Sequence, residues 1–247
     1  MKLDTNGTNP EMLRFLYENH LLDYIAMDIK TQPEQYAKVS GLQPGCCRHT
    51  ETSAKYGLQS EITSFVDVDG VAEIELVRIK NISEEVIKIT PIAAIPLYGR
   101  SADNIRDHRH VTSLLHRINT TEYGVEVTPV LSFDERGHQK NHTTYFVYGY
   151  SEKGDAPEAF YPTVQEFIGE GGTYLNPEAV RKNKPGRMAG SRAEGKEAMG
   201  GICFADVELK PQETAGFIIL AGLSREEREY CQNCRKIQNR RAGGERS

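Results

Sequence analysis

The densest set of chemically competent side chains is Arg106-Asp107-His108-Arg109-His110, with His116 and Arg117 shortly after it. Guanidinium, carboxylate and imidazole groups this close together can grip sugar hydroxyls or an anion through paired hydrogen bonds. The same charge density also serves salt bridges between domains, so Arg106, Asp107, Arg109 and His110 carry both readings, carbohydrate contact and interdomain contact. His108 and His110 form an H-x-H pair, which on a strand would place two imidazoles on one face, as zinc requires. No cysteine or carboxylate at motif spacing accompanies them, and the segment reads as helix, where residues two apart do not face one another. Cys231-x-x-Cys234 is likewise half a zinc site without a second pair. Neither a metal nor a cofactor is expected.

Phe167-Ile168-Gly169-Glu170-Gly171-Gly172 has the glycine content of a phosphate loop but lacks the Lys and Ser/Thr that complete one, so its glycines read as backbone geometry. Asp134 and Glu135 sit in a turn and read as solvated. No Ser-His-Asp or Cys-His arrangement has its motif context, and no catalytic residue is assigned.

These groups must be positioned by a chain of 247 residues with 38% apolar and 26% charged side chains, enough for one large core with soluble edges. A net charge of -5 provides no basic field for a phosphate backbone, which excludes nucleic acid as the expected partner. No apolar run approaches the roughly 18 residues that span a bilayer, and the first residues do not form a signal peptide, so the expected location is cytoplasmic with no membrane partner. Five scattered cysteines do not form a disulfide framework.

The pattern of residues 1 to 45 is helix then strand, ending in the run Tyr24-Ile25-Ala26-Met27-Asp28-Ile29. Gly41, Pro44 and Gly45 interrupt it, and the pattern then changes to short β-branched stretches. Strands are expected at 60–66, 72–81, 86–95, 123–133, 143–150, 201–209 and 214–220, with Asp69-Gly70, Glu135-Arg136-Gly137 and Pro211-Gln212 as turns. Strands at this density make a sandwich. Residues 102–118 read as a short helix or ordered loop, and 181–196 as an exposed loop. The organisation expected is a small α/β segment over 1–50, a mostly β, antiparallel domain with short helices over 53–225, and a helix and charged tail over 226–247.

The motifs Tyr98-Gly99-Arg100-Ser101-Ala102-Asp103-Asn104-Ile105-Arg106-Asp107-His108-Arg109-His110, Leu131-Ser132-Phe133-Asp134-Glu135-Arg136-Gly137-His138 and Phe167-Ile168-Gly169-Glu170-Gly171-Gly172 occur in that order. Together they resemble the N-terminal β-supersandwich domain of family-94 glycoside phosphorylases, the cellobiose, cellodextrin and β-1,2-oligoglucan phosphorylases. The resemblance runs from about Ser53 to Arg235. It implies inverting phosphorolysis of a β-glucosidic bond, giving α-glucose 1-phosphate, by an (α/α)6 barrel that is not in this sequence. The chain is therefore expected to be inactive alone, because inversion needs a proton donor and phosphate on opposite faces of one sugar. The implied partners are β-gluco-oligosaccharides, phosphate or glucose 1-phosphate, the barrel domain, and a second copy in a homodimer. The family's use of the glycine loop near its cleft makes Glu170 a carbohydrate-contacting candidate.

Lys2-Leu3-Asp4-Thr5-Asn6-Gly7-Thr8-Asn9-Pro10 and Asp23-Tyr24-Ile25-Ala26-Met27-Asp28-Ile29-Lys30 resemble a slice of radical-SAM activating proteins for anaerobic ribonucleotide reductase. The CxxxCxxC cluster loop of that family is absent, so its iron-sulfur chemistry is not carried over. A radical-SAM-related fragment and a non-catalytic interaction module are the two alternatives to the carbohydrate reading.

Overall fold

The computed structural model describes residues 2–5, 24–27, 49–66, 72–99, 112–134 and 137–224. In chain order its strands are β1 (Lys2–Thr5), β2 (Tyr24–Met27), β3 (His49–Lys55), β4 (Leu58–Val66), β5 (Ala72–Asn81), β6 (Ile87–Ile89), β7 (Ile92–Leu97), β8 (His116–Thr120) and β9 (Gly124–Pro129). They continue with β10 (Leu131–Asp134), β11 (Gly137–Lys140), β12 (Thr144–Ser151), β13 (Ala159–Thr163), β14 (Arg192–Glu194), β15 (Ala198–Cys203), β16 (Val207–Leu209) and β17 (Thr214–Ser224). Two short helices, α1 (Val164–Ile168) and α2 (Glu178–Arg181), lie between β13 and β14.

Eight strands form one antiparallel sheet in the order β14-β8-β9-β12-β17-β5-β4-β3. A second, three-stranded antiparallel sheet, β13-β15-β7, lies across its inner face. The protein is therefore mostly β, as its strand-rich pattern predicts. Between the sheets pack Ile118, Val125, Val127, Val147, Phe217 and Ile219 from one side and Leu97, Phe160, Ala198 and Ile202 from the other, with Phe204 between. The two layers approach closely at Gly200, where a Cβ would collide with the Val147 side chain. Only glycine lets β15 sit so near β12.

The central strands β12 and β17 are buried on both faces. On the outer face Phe146, Tyr148 and Tyr150 join Ile218, Leu220, Ile74 and Ala72 in a second cluster. Two-sided burial is why Phe217-Ile218-Ile219-Leu220 reads as a continuous apolar run and not as an alternation. The outer face of the small sheet carries a third cluster, in which Tyr161 and Met199 are covered by Val164 and Phe167 of α1 and Ala179 of α2.

Several expectations need correction. The stretch 86–95 is two strands in two different sheets: β6 pairs with β16, and β7 pairs with β15. The break falls at Thr90-Pro91, where proline has no N–H to give to a ladder. The expected strand 201–209 breaks at the same level, and Phe204 N donates to Pro91 O across the corner (3.0 Å). The expected strand 123–133 divides into β9 and β10 at Val130. Residues 116–120 form a strand, not the end of a helix. Leu114 and Ile118 share a helical spacing, but Leu114 is 64% exposed while Ile118 is 1% exposed in the inter-sheet core. The alternation of buried His116, Ile118 and Thr120 is the true signal. Within the expected loop 181–196, Arg192–Glu194 form β14, which completes the large sheet beside β8.

In the N-terminal region β1 and β2 pair in parallel, with Lys2 opposite Tyr24 and Thr5 opposite Met27. The Asp69-Gly70 turn and the expected helix and tail over 226–247 lie outside the described residues.

Candidate functional site

A cleft of about 620 Å³ opens where α1, α2 and β14 meet at one end of the small sheet. Each wall is fixed by local chemistry. Thr163 caps α1, its Oγ1 accepting from Glu166 N (3.2 Å), and this projects Gln165 and Glu166 into the cleft. Gly169 ends α1 at a φ of 75°, a conformation glycine adopts without strain. A Cβ there would also strike Glu178. The turn delivers Glu170 to the rim and lets α2 lie close enough to bring in Glu178.

The opposite wall comes from the segment before β14. Arg187 is stapled to β13 by an exchange of backbone hydrogen bonds with Phe160, N to O 2.7 Å and O from N 2.8 Å. Its guanidinium donates to Arg192 O (2.8 Å) and to Glu166 Oε1. Lys184 is anchored from beneath by the Tyr161 hydroxyl, which donates to its carbonyl oxygen (2.6 Å). Its ammonium lies 3.4 Å from Glu178 Oε2, and Lys182 pairs with the other oxygen. The hydrogen bond from Lys182, helped by the charges of Lys182 and Lys184, holds the Glu178 carboxyl below the usual carboxylate range. Lys196 reaches Gln165 Oε1 at 3.5 Å, and at the rim Glu194 lies 3.6 Å from Arg117 Nε.

One atom in this network is left over. Glu166 Oε2 is buried with no hydrogen-bond partner, although its sister oxygen is held by Arg187. A buried carboxylate oxygen without a donor is costly, so this cleft offers a ready acceptor beside a ready guanidinium. That arrangement suits a neighbouring pair of hydroxyls, one donating and one accepting. It does not present a nucleophile with an adjacent base.

Of the residues singled out from sequence, Glu170 is exposed and lines this cleft. Arg106, Asp107, Arg109 and His110 lie outside the described residues. His116, read with them as a possible ligand, is instead 3% exposed, its ring nitrogens each 3.0 Å from a carbonyl oxygen, of Lys196 and of Gly99. It ties β8 to Gly99 beyond β7 and to the turn at Lys196 between β14 and β15. Among the described residues no group of three or more His, Cys, Asp or Glu side chains is placed to hold a metal ion, and no helix is long and apolar enough to cross a membrane.

Sequence reasoning missed Glu166, Lys184, Arg187, Glu194 and Lys196. The last four fall in the segment taken for an exposed loop. Their only sequence signal is a run of basic residues broken by Glu194, and they converge only because Arg187 pairs with Phe160, Tyr161 holds Lys184 and β14 joins β8.

A family model described as the glycosyl hydrolase 94 supersandwich domain matches residues 46–240. A curated relative described as a candidate glycyl-radical enzyme activating enzyme, from Methanocaldococcus jannaschii, is 47% identical over 36 residues. That match covers 15% of this chain, and the chain spans 15% of the relative's length. Among solved structures, a polysaccharide lyase is similar with a TM-score of 0.41 and 8% identity, over 84% of this chain and 24% of that one.

Proposed function

The chain belongs to the glycosyl hydrolase 94 supersandwich family, and from that premise we propose that it serves a β-gluco-oligosaccharide phosphorylase as the N-terminal domain that frames the sugar. Catalysis, the inverting transfer of a glucosyl unit to phosphate, belongs in this reading to an (α/α)6 barrel that supplies the acid and the phosphate pocket. The domain's part is to hold hydroxyl groups of the oligosaccharide, and it works in the cytoplasm. In this reading residues 53–225 are the sugar-framing unit, 1–50 an appendage and 226–247 the start of the connection to the barrel.

The observation that supports a sugar-facing role is the Glu166–Arg187 pair. A buried carboxylate oxygen lacking a donor beside a guanidinium with spare N–H groups is complementary to vicinal hydroxyls, and Glu170 and Lys196 stand within the same cleft. A second reading, a surface that docks on the barrel, is favoured by Tyr174, Leu175 and Val180, which are 48%, 99% and 53% exposed along the loop between α1 and α2 and on α2.

Calorimetric titration of the chain with β-1,2-, β-1,3- and β-1,4-linked gluco-oligosaccharides separates the two. The sugar-framing reading expects weak saturable binding of at least one linkage type, reduced about tenfold in Arg187→Ala. Absence of heat with all three leaves the docking reading.

A further inference from the structure

His116 sits where the small sheet comes apart. β7 and β15 stay in register as far as Leu97 opposite Ala198, and two residues further the same register would set Gly99 opposite Lys196. The buried His116 ring bridges that pair, with Nε2 3.0 Å from Gly99 O and Nδ1 3.0 Å from Lys196 O. The fit is close, since a Cβ on Gly99 would lie 2.9 Å from Nε2. The main chain of His116 holds the same turn, its carbonyl oxygen accepting from Gly195 N (3.0 Å).

Both ring partners are carbonyl oxygens, which only accept. A neutral imidazole has one N–H, so it satisfies one of them and turns a lone pair towards the other. The imidazolium has two N–H groups and satisfies both. Burial works against a charged ring, and two charge-assisted hydrogen bonds work for it. The ionisable neighbours do not tip this balance. On the paired strands β8 and β14, Arg117 lies 3.6 Å from Glu194, while in the turn Lys196 reaches Gln165 Oε1 (3.5 Å) and Glu197 follows it, two cations against two carboxylates. Pro129, opposite His116 on β9, carries no charge, and Tyr98, beside Gly99, is exposed.

From this geometry we propose that His116 is a proton-operated latch on the cleft: the doubly protonated ring fastens the Lys196 turn to Gly99, and loss of one proton opens one of the two contacts. Glu194 and Lys196, on either side of Gly195, both line the cleft. Release of the turn therefore loosens that wall, and the cleft grips its ligand less well as pH rises. This last step rests on the sugar-framing reading, whereas the latch itself does not.

NMR of the imidazole nitrogens in the 15N-labelled full chain, between about pH 5.5 and 8.5, tests the latch in the wild-type protein. His116→Gln identifies the ring signal by its loss. The expected result is an N–H proton on both His116 nitrogens at the acid end, each shielded from exchange with water, and loss of one as pH rises. The backbone amides of Gly99, Gly195 and Lys196 shift with the same midpoint, and in His116→Gln that shift is gone. A single N–H across the whole range overturns the proposal, and so does a ring that titrates while these amides stay in place. Titration with a β-linked gluco-oligosaccharide at both ends of the range separates the latch from the sugar-framing role. Affinity about threefold lower at the alkaline end, with no such change in His116→Gln, is expected. Equal affinity at both ends overturns the proposal. No binding at either end, with ring and amides titrating together, upholds the latch and removes the sugar-framing reading.

Discussion

Arg187 holds one oxygen of Glu166 while the other oxygen of the same carboxylate is buried without a partner. Removing the guanidinium leaves the whole carboxylate without a donor. Arg187→Met therefore destabilises the domain by about 1 kcal/mol, at the lower end of such losses because both side chains keep some water contact. The further substitution Glu166→Leu in that background recovers part of the loss. Urea denaturation of the two single variants and the double variant measures the coupling.

At Gly200 and Val147 the two sheets approach closely. Gly200→Ala forces them apart and costs about 2 kcal/mol, with Val147→Ala in the same chain giving some of it back. A Gly200→Ala variant that melts with wild type would mean that the sheets are not packed this tightly.

Asn81 is fully buried at the corner where β5 meets β16. Its amide donates to Glu85 O (2.6 Å) and Leu209 O (2.9 Å), and its Oδ1 accepts from Ser83 N (2.9 Å) and Ser83 Oγ (2.8 Å). Asn81→Leu strands these partners and costs about 3 kcal/mol by chemical denaturation.

Burial, together with the charges of Glu73 and Glu51, raises the Glu75 carboxyl above its ordinary range. The folded state then binds this proton more readily than the unfolded chain does. Stability from this group is fully present below the unfolded value of about 4.3 and is lost as pH rises through the folded value. Glu75→Gln is accordingly more stable than wild type at pH 7, and the difference closes as pH falls to about 4. Melting temperatures of the two proteins across that range check the sign.

Much of the sandwich was legible because its strands are long and β-branched. Ala72–Asn81 is a single strand as expected, and the apolar run at 217–220 reports the doubly buried centre. The failures have physical causes. β6 and β7 abut in sequence, so composition cannot separate them; the missing N–H of Pro91 does. β3 was missed because an exposed edge strand of Thr, Glu, Ser, Ala and Lys shows no apolar alternation at all. In the cleft, Glu170 could be picked out by its glycine neighbours, but Glu166 looks like any polar residue of a short helix. Its meaning comes only from Arg187, which is 21 residues away.

The sugar-framing claim is tested most directly by hydrogen–deuterium exchange of the chain with and without a saturating β-linked gluco-oligosaccharide. Slower exchange confined to peptides covering 163–170 and 184–196 is the predicted result. Unchanged exchange there, or protection that appears only elsewhere in the sandwich, contradicts it.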